Sequence, residues 1–263
     1  MTNKSKFGIP MTADQYADQW QINSDDFEHR GHYTWMAGQL GEADTVLEVG
    51  CGSGNGTLEL ARSGRRFIVI EPNAKLAQIA LSTLKNAGVP VSYVQASALG
   101  RPLPTGSTII NADIFDKSLD QLLAPIQFDA IVCWLIGAEP ARIAPHFNVA
   151  IDRFKGDEGS RYREKLHARC GELGTLCLKP RGQVQLVDRQ GFRHLDDCKY
   201  ATPEVVSLYS KVLGSCYSIL EQGISFREID TNLAGNSRMQ YATNQTAADT
   251  TVPVFVSVKA FLN

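Results

Sequence analysis

From residue 46 to residue 57 the chain reads Val-Leu-Glu-Val-Gly-Cys-Gly-Ser-Gly-Asn-Gly-Thr. Glu48, Gly50, Gly52 and Gly54 stand in an E-x-G-x-G-x-G pattern that ends an apolar run and opens a helical one. Glycines at such a corner let the backbone take positive φ and come close to a ligand. Two other glycine-loop chemistries fail on spacing. A G-x-G-x-x-G dinucleotide loop would need glycine at Asn55 or Thr57, and a phosphate-binding G-x-x-x-x-G-K-[ST] loop would need a lysine. The next apolar run, Ile68-Val69-Ile70, ends on Glu71. A carboxylate there can accept hydrogen bonds from both hydroxyls of a ribose lying across the strand ends.

The surrounding pattern must hold these residues at one edge of a sheet. Thr45–Val49, Phe67–Ile70, Ala130–Trp134 and Gln183–Val187 read as buried strands, with Ile224–Ile229 and Val254–Phe261 following. Val91–Gln95 and Thr108–Ala112 compete for the third strand position. Helices are expected over Thr57–Ser63, from an Asn73 cap to Gly88, over Arg161–Cys170 and over Glu204–Leu213. Strand and helix alternate, so the fold class is α/β, with a doubly wound and mostly parallel sheet. The last two strands have no helix between them and should pair antiparallel. Ahead of the first strand, Thr12 caps one short helix bearing Ala13, Tyr16, Ala17 and Trp20, and Ser24 caps a second through Phe27, His32, Trp35 and Met36. The expected organisation is a helical extension over 1–40 and one domain over 41–263.

In order along the chain, VLEVGCGSGNGTLELA, IVIEPN, FDAIVCW and LKPRGQVQLVD resemble the class I S-adenosylmethionine-dependent methyltransferases, over roughly Thr45 to Asp188. The resemblance implies a seven-stranded Rossmann-like sheet with an antiparallel last strand, and S-adenosyl-L-methionine as cofactor. It also implies that Gly50, Gly52 and Gly54 lie beneath the methionine part, that Glu48 orients the loop or the amino group, and that Glu71 holds the ribose. An acidic residue after the third strand would meet the adenine amine. Asp113, followed by Ile114, is preferred for that place; the alternative, Ala96-Ser97-Ala98, has no carboxylate. Trp134 ends the fourth family strand, where it would cover the cofactor, wall the substrate pocket or pack in the core.

Methyl transfer from a sulfonium needs alignment, water exclusion and sometimes a base. Glu139 and His146 are candidate bases beyond Trp134, as are His29, His32 and Tyr33 in the extension, which is expected to fold over the pocket as a lid. Tyr16 and Trp20 would form its aromatic face toward a flat or cationic substrate. Substrate classes narrow by absence. No [DNS]-P-P-[YFW] motif follows Trp134, no Pro-Cys pair accompanies Cys133, and Asp188 alone would serve a catechol-type metal site, so no metal is expected. A small molecule methylated at N or O is the leading expectation. RNA or protein substrates, through an Arg-rich run from Arg153 to Arg169, are the alternative, with a non-catalytic cofactor binder as the third.

Composition agrees with a globular protein: 43% of residues are hydrophobic and 21% charged, which excludes a disordered chain. Twenty-six basic against 28 acidic residues give a net charge of −2, which disfavours a dedicated nucleic-acid binder. Six cysteines without a C-x-x-C pair, no apolar leader and no membrane-length apolar run predict a cytoplasmic protein with reduced thiols. The polar stretch Gly235–Thr250 is read as a mobile loop or a homodimer contact.

Overall fold

The computed structural model describes residues 11–95, 97, 103–154, 156–229 and 252–263. The stretch Gly235–Thr250 lies outside them. β1 (Thr45–Val49), β2 (Arg66–Ile70), β3 (Val91–Gln95), β4 (Ser107–Asn111), β5 (Phe128–Trp134), β6 (Leu178–Phe192), β7 (Tyr217–Glu228) and β8 (Val252–Leu262) form one sheet. Their order is β3-β4-β2-β1-β5-β6-β8-β7. Strands β1 to β6 pair in parallel, whereas β8 runs antiparallel to both β6 and β7.

The sheet has eight strands rather than the seven expected, because both candidates for the third position are strands. β4 sits beside β2, with Ile68 opposite Thr108, and carries the three buried residues Thr108, Ile109 and Ile110. β3, half-buried up to the exposed Gln95, is added in parallel outside it as an edge strand.

α1 (Ala13–His29) begins at a capping box in which Thr12 accepts from the Gln15 backbone and the Gln15 side chain accepts from Thr12 N–H. The expected second cap at Ser24 does not occur. Ser24 lies inside α1, buried, with its hydroxyl 2.9 Å from the Tyr33 hydroxyl. The break falls instead at Gly31, whose φ of 69° ends the first helix, and α2 (His32–Gly38) follows.

α1 and α2 share a core with α3 (Asn55–Arg62), α4 (Ala74–Asn86) and one sheet face, through Ala17, Phe27, Met36, Leu40, Val46 and Leu60. Gln183 and Gln185 of β6 donate to the carbonyls of Leu40 and Met36 at 2.9 and 3.1 Å. Residues 11–40 therefore contribute core to the sheet, and deleting residues 1–40 would unroof it. The opposite face is covered by α5 (Ser118–Leu123), the 22-residue α7 (Gly156–Cys177) and α8 (Cys198–Leu213), with Leu119, Leu166, Leu173 and Val205 buried against it. The short α6 (Pro140–Ile143) follows β5. No described helix is long and apolar enough to cross a membrane.

Candidate functional site

The carboxyl ends of β1, β2, β4 and β5 converge on a cavity of about 40 Å³. Gly50 and Gly52 form one wall, and Glu71, Asp113, Ile114 and Glu139 others. Gly54 serves a different purpose. A Cβ there would stand 2.7 Å from Ala80 Cα, so this glycine lets α4 approach the loop.

Glu71 ties the loop to its own strand. One carboxylate oxygen accepts from Gly52 N–H at 3.0 Å and the other from Asn73 N–H at 2.9 Å. Asn111 of β4 donates to the Glu71 carbonyl at 2.8 Å, fixing the backbone beneath that carboxylate. Burial pushes Glu71 up to about 7, against the two backbone donors and Arg142, which favour the charged form. Glu48 lies buried on β1, accepts from Thr57 Oγ1 at 2.6 Å and does not face the cavity. It is likewise pushed up to about 7, by burial and then by the charge of Glu71, with the Thr57 bond opposing.

At the other end of the cavity, Asp113 accepts from Phe115 N–H at 3.0 Å and from Arg142 Nη1 at 3.2 Å. Arg142 also donates to the Pro72 carbonyl at 3.3 Å and stands 3.5 Å from Glu139. One guanidinium thus spans the ends of β2, β4 and β5, among three carboxylates. Reading the sequence missed it, although it lies in the same short segment as Glu139. Tyr162 and Leu166 of α7 also line the cavity and were not anticipated.

Two segments fill the space before the loop. A Cβ built on Gly52 would overlap the Trp20 indole, and one on Gly50 would overlap the end of Ile136. Tyr16 Oη lies 2.8 Å from where a Gly137 Cβ would stand. Leu135, with φ of 58°, turns the chain sharply after β5 and is held by its N–H on the Val187 carbonyl at 2.8 Å. That backbone region is a strained one for a bulky side chain.

Four other residues singled out from the sequence do not reach the cavity. Trp134 is a core residue whose indole N–H donates to Gln185 at 3.1 Å. Tyr33 is buried on the Ser24 hydroxyl. His32 is enclosed edge-to-face by Phe27 and Phe255, with neither ring nitrogen hydrogen-bonded, and burial pushes it down to about 4. His146 packs between Phe115 and Tyr162 at 4.9 and 5.0 Å, and burial lowers it too. His32, Tyr33 and His146 each lie next to an aromatic partner and Trp134 lies on Gln185, contacts that no spacing in the sequence reveals. Ser97 is exposed beyond the edge strand β3. Among the described residues, no three His, Cys, Asp or Glu side chains gather as a metal site.

Residues 46–112 match a family described as Methyltransferase domain. No curated protein matches the chain. Among solved structures, it is similar to the N-methyltransferase NodS from Bradyrhizobium japonicum WM9, at 13% identity and a TM-score of 0.46, over 89% of this chain and 87% of that one. A SAM-dependent methyltransferase from Methanosarcina mazei aligns at 17% identity and 0.45, over 84% and 93%. TrmN from Thermus thermophilus aligns at 12% and 0.44 over 84% of this chain, which spans only 44% of that one. Likeness at this level carries no argument about substrate. The segment that matches a methyltransferase domain lies in a Rossmann-like α/β sheet, and its glycine loop is closed by Glu71.

Proposed function

We propose that this domain moves the methyl group of S-adenosylmethionine to an N or O atom of a small molecule. The observation that carries the cofactor side is the buried Glu71 carboxylate at the cavity wall, bound to the Gly52 amide. In this reading Glu71 receives the ribose hydroxyls, and Gly50 and Gly52 lie beneath the methionine part. Glu48 and Gly54 support the loop from behind, while Asp113 and Ile114 meet the adenine. Asp113 can do so while keeping Arg142, because a carboxylate has acceptor capacity for more than two donors. Bound there, the cofactor supplies an already activated methyl group, so the chain's residues align the acceptor and exclude water.

A cavity of about 40 Å³ is well below the roughly 300–1,000 Å³ of ligand pockets. Tyr16 and Trp20 on one side and Leu135–Gly137 on the other must therefore part to admit the cofactor, and they act as its lid. Of the candidate bases, Glu139 faces the cavity, and we assign it that role in place of His32 and His146.

The small-molecule reading draws support from the Arg-rich run. Arg169 is buried, Arg163 pairs with Asp188 at 3.1 Å, and Arg161 and Lys165 stack over Phe147 and Phe115. Arg169 and Arg163 are thus drawn into internal ion pairs, while Arg161 and Lys165 stay exposed over their rings, which leaves a smaller basic face than the run suggests. Six thiols without a disulfide among them fit a cytoplasmic protein.

The test is transfer of a labelled methyl group from cofactor into an extract of the source cell. Label in the low-mass fraction is expected. Label in a large fraction removed by nuclease or protease would replace this reading with an RNA or protein acceptor.

A further inference from the structure

Tyr162, Leu166 and Arg169 lie on one stripe of α7, at i, i+4 and i+7. The first two line the cavity, while the third reaches past it to the Asp113–Ile114 turn. Arg169 Nε donates to the Ile114 carbonyl at 3.1 Å, one terminal nitrogen pairs with Asp120 of α5, and the other donates to Glu172 at 3.1 Å. Its side chain is only 4% exposed. A planar guanidinium can serve these three acceptors in fixed directions, which an ammonium cannot.

Burying that charge has no evident purpose in packing alone. A buried ion pair is often no more stabilising than apolar side chains of the same volume. What an apolar residue could not do is hold the Ile114 carbonyl. With Arg142 gripping the Asp113 carboxylate from the cavity side, the turn is fastened at two points by two arginines from different helices.

We propose that Arg169 is a positioning residue for the adenine end of the cofactor pocket, acting through the Asp113–Ile114 turn without touching the ligand. The inference rests on the reading that this turn meets adenine, and the experiment separates the two.

Adenosine and S-adenosylhomocysteine are titrated calorimetrically into the full chain and into Arg169→Lys, Arg169→Met and Asp113→Asn, well below each melting temperature. Arg169→Lys can keep the ion pair with Asp120 while losing the fork that also reaches Ile114, so it remains informative if Arg169→Met fails to fold. Both Arg169 variants should weaken adenosine and S-adenosylhomocysteine by the same factor, about tenfold, as expected for loss of a charge-assisted hydrogen bond. Unchanged adenosine affinity in Arg169→Lys, with a clear loss in Asp113→Asn, would overturn the inference and leave Arg169 a structural residue. Unchanged adenosine affinity in Asp113→Asn would overturn the adenine assignment and this inference with it.

Discussion

The two halves of the sheet treat their buried acids and imidazoles in opposite ways. From β1 to β5, buried acids act as fasteners: Glu71 joins Gly52 to Asn73, and Glu48 holds Thr57. Beyond β5, buried imidazoles are enclosed instead. His32 lies against Phe27 and Phe255 with both nitrogens unpartnered, and His167 of α7 lies beside Tyr209 with Nε2 unpartnered. The first half accepts the cost of buried carboxylates to shape a loop. The second keeps its bases neutral and apolar in effect.

Breaking the fastener should have the largest effect. Glu71→Ala removes the acceptor of two backbone amides, and cofactor affinity should fall by about a hundredfold or more. Calorimetry with S-adenosylhomocysteine checks this, and wild-type affinity would end the ribose assignment. Gly54→Ala forces a Cβ against Ala80 at a φ of 87° and should cost about 1–3 kcal/mol of stability in urea titration. Trp20→Ala clears the space before Gly52 and should speed cofactor association several-fold in stopped flow; an unchanged rate would mean that the indole does not gate entry.

The smallest effect sharpens the comparison most. Glu48 and Glu71 are raised from 4.5 to about 7, so their stabilisation is complete below about 4.5 and is lost as pH rises through about 7. His32 and His167 are lowered from 6.5 to about 4, so theirs is complete above about 6.5 and is lost as pH falls through about 4. The trends oppose each other between 4.5 and 6.5. With His32→Phe and His167→Phe combined, the urea midpoint should rise on acidification from pH 7 to pH 5 relative to wild type. With Glu48→Gln and Glu71→Gln combined, it should fall. Parallel profiles for all three proteins would remove the contrast.

The same division separates what could be read from the sequence from what could not. The glycine corner, Glu71 and Asp113 were legible because a strand end and a loop expose their chemistry in a few consecutive residues. The Asn73 cap was legible for the same reason: it accepts from Lys75 and Leu76, close by in the chain. Arg169 was read as the end of an Arg-rich run open to an RNA or protein substrate. Its burial depends on α5 and on the Ile114 carbonyl, 55 residues away, and no local pattern contains them. His32, Tyr33 and Trp134 have the side chains of a catalytic or binding site, yet long-range partners in α1, β6 and β8 draw them into packing. The eighth strand was legible as a strand but not as an addition, because apolar runs do not say which neighbour they pair with.

The position of β8 between β6 and β7 has a consequence for synthesis of the chain. β7 leaves the ribosome before the strand that joins it to the sheet, and its side of the sheet stays open until residues 252–262 emerge. Ending translation after Ile229 would therefore cost two strands rather than one, leaving β7 without a neighbour and β6 with an unpaired edge.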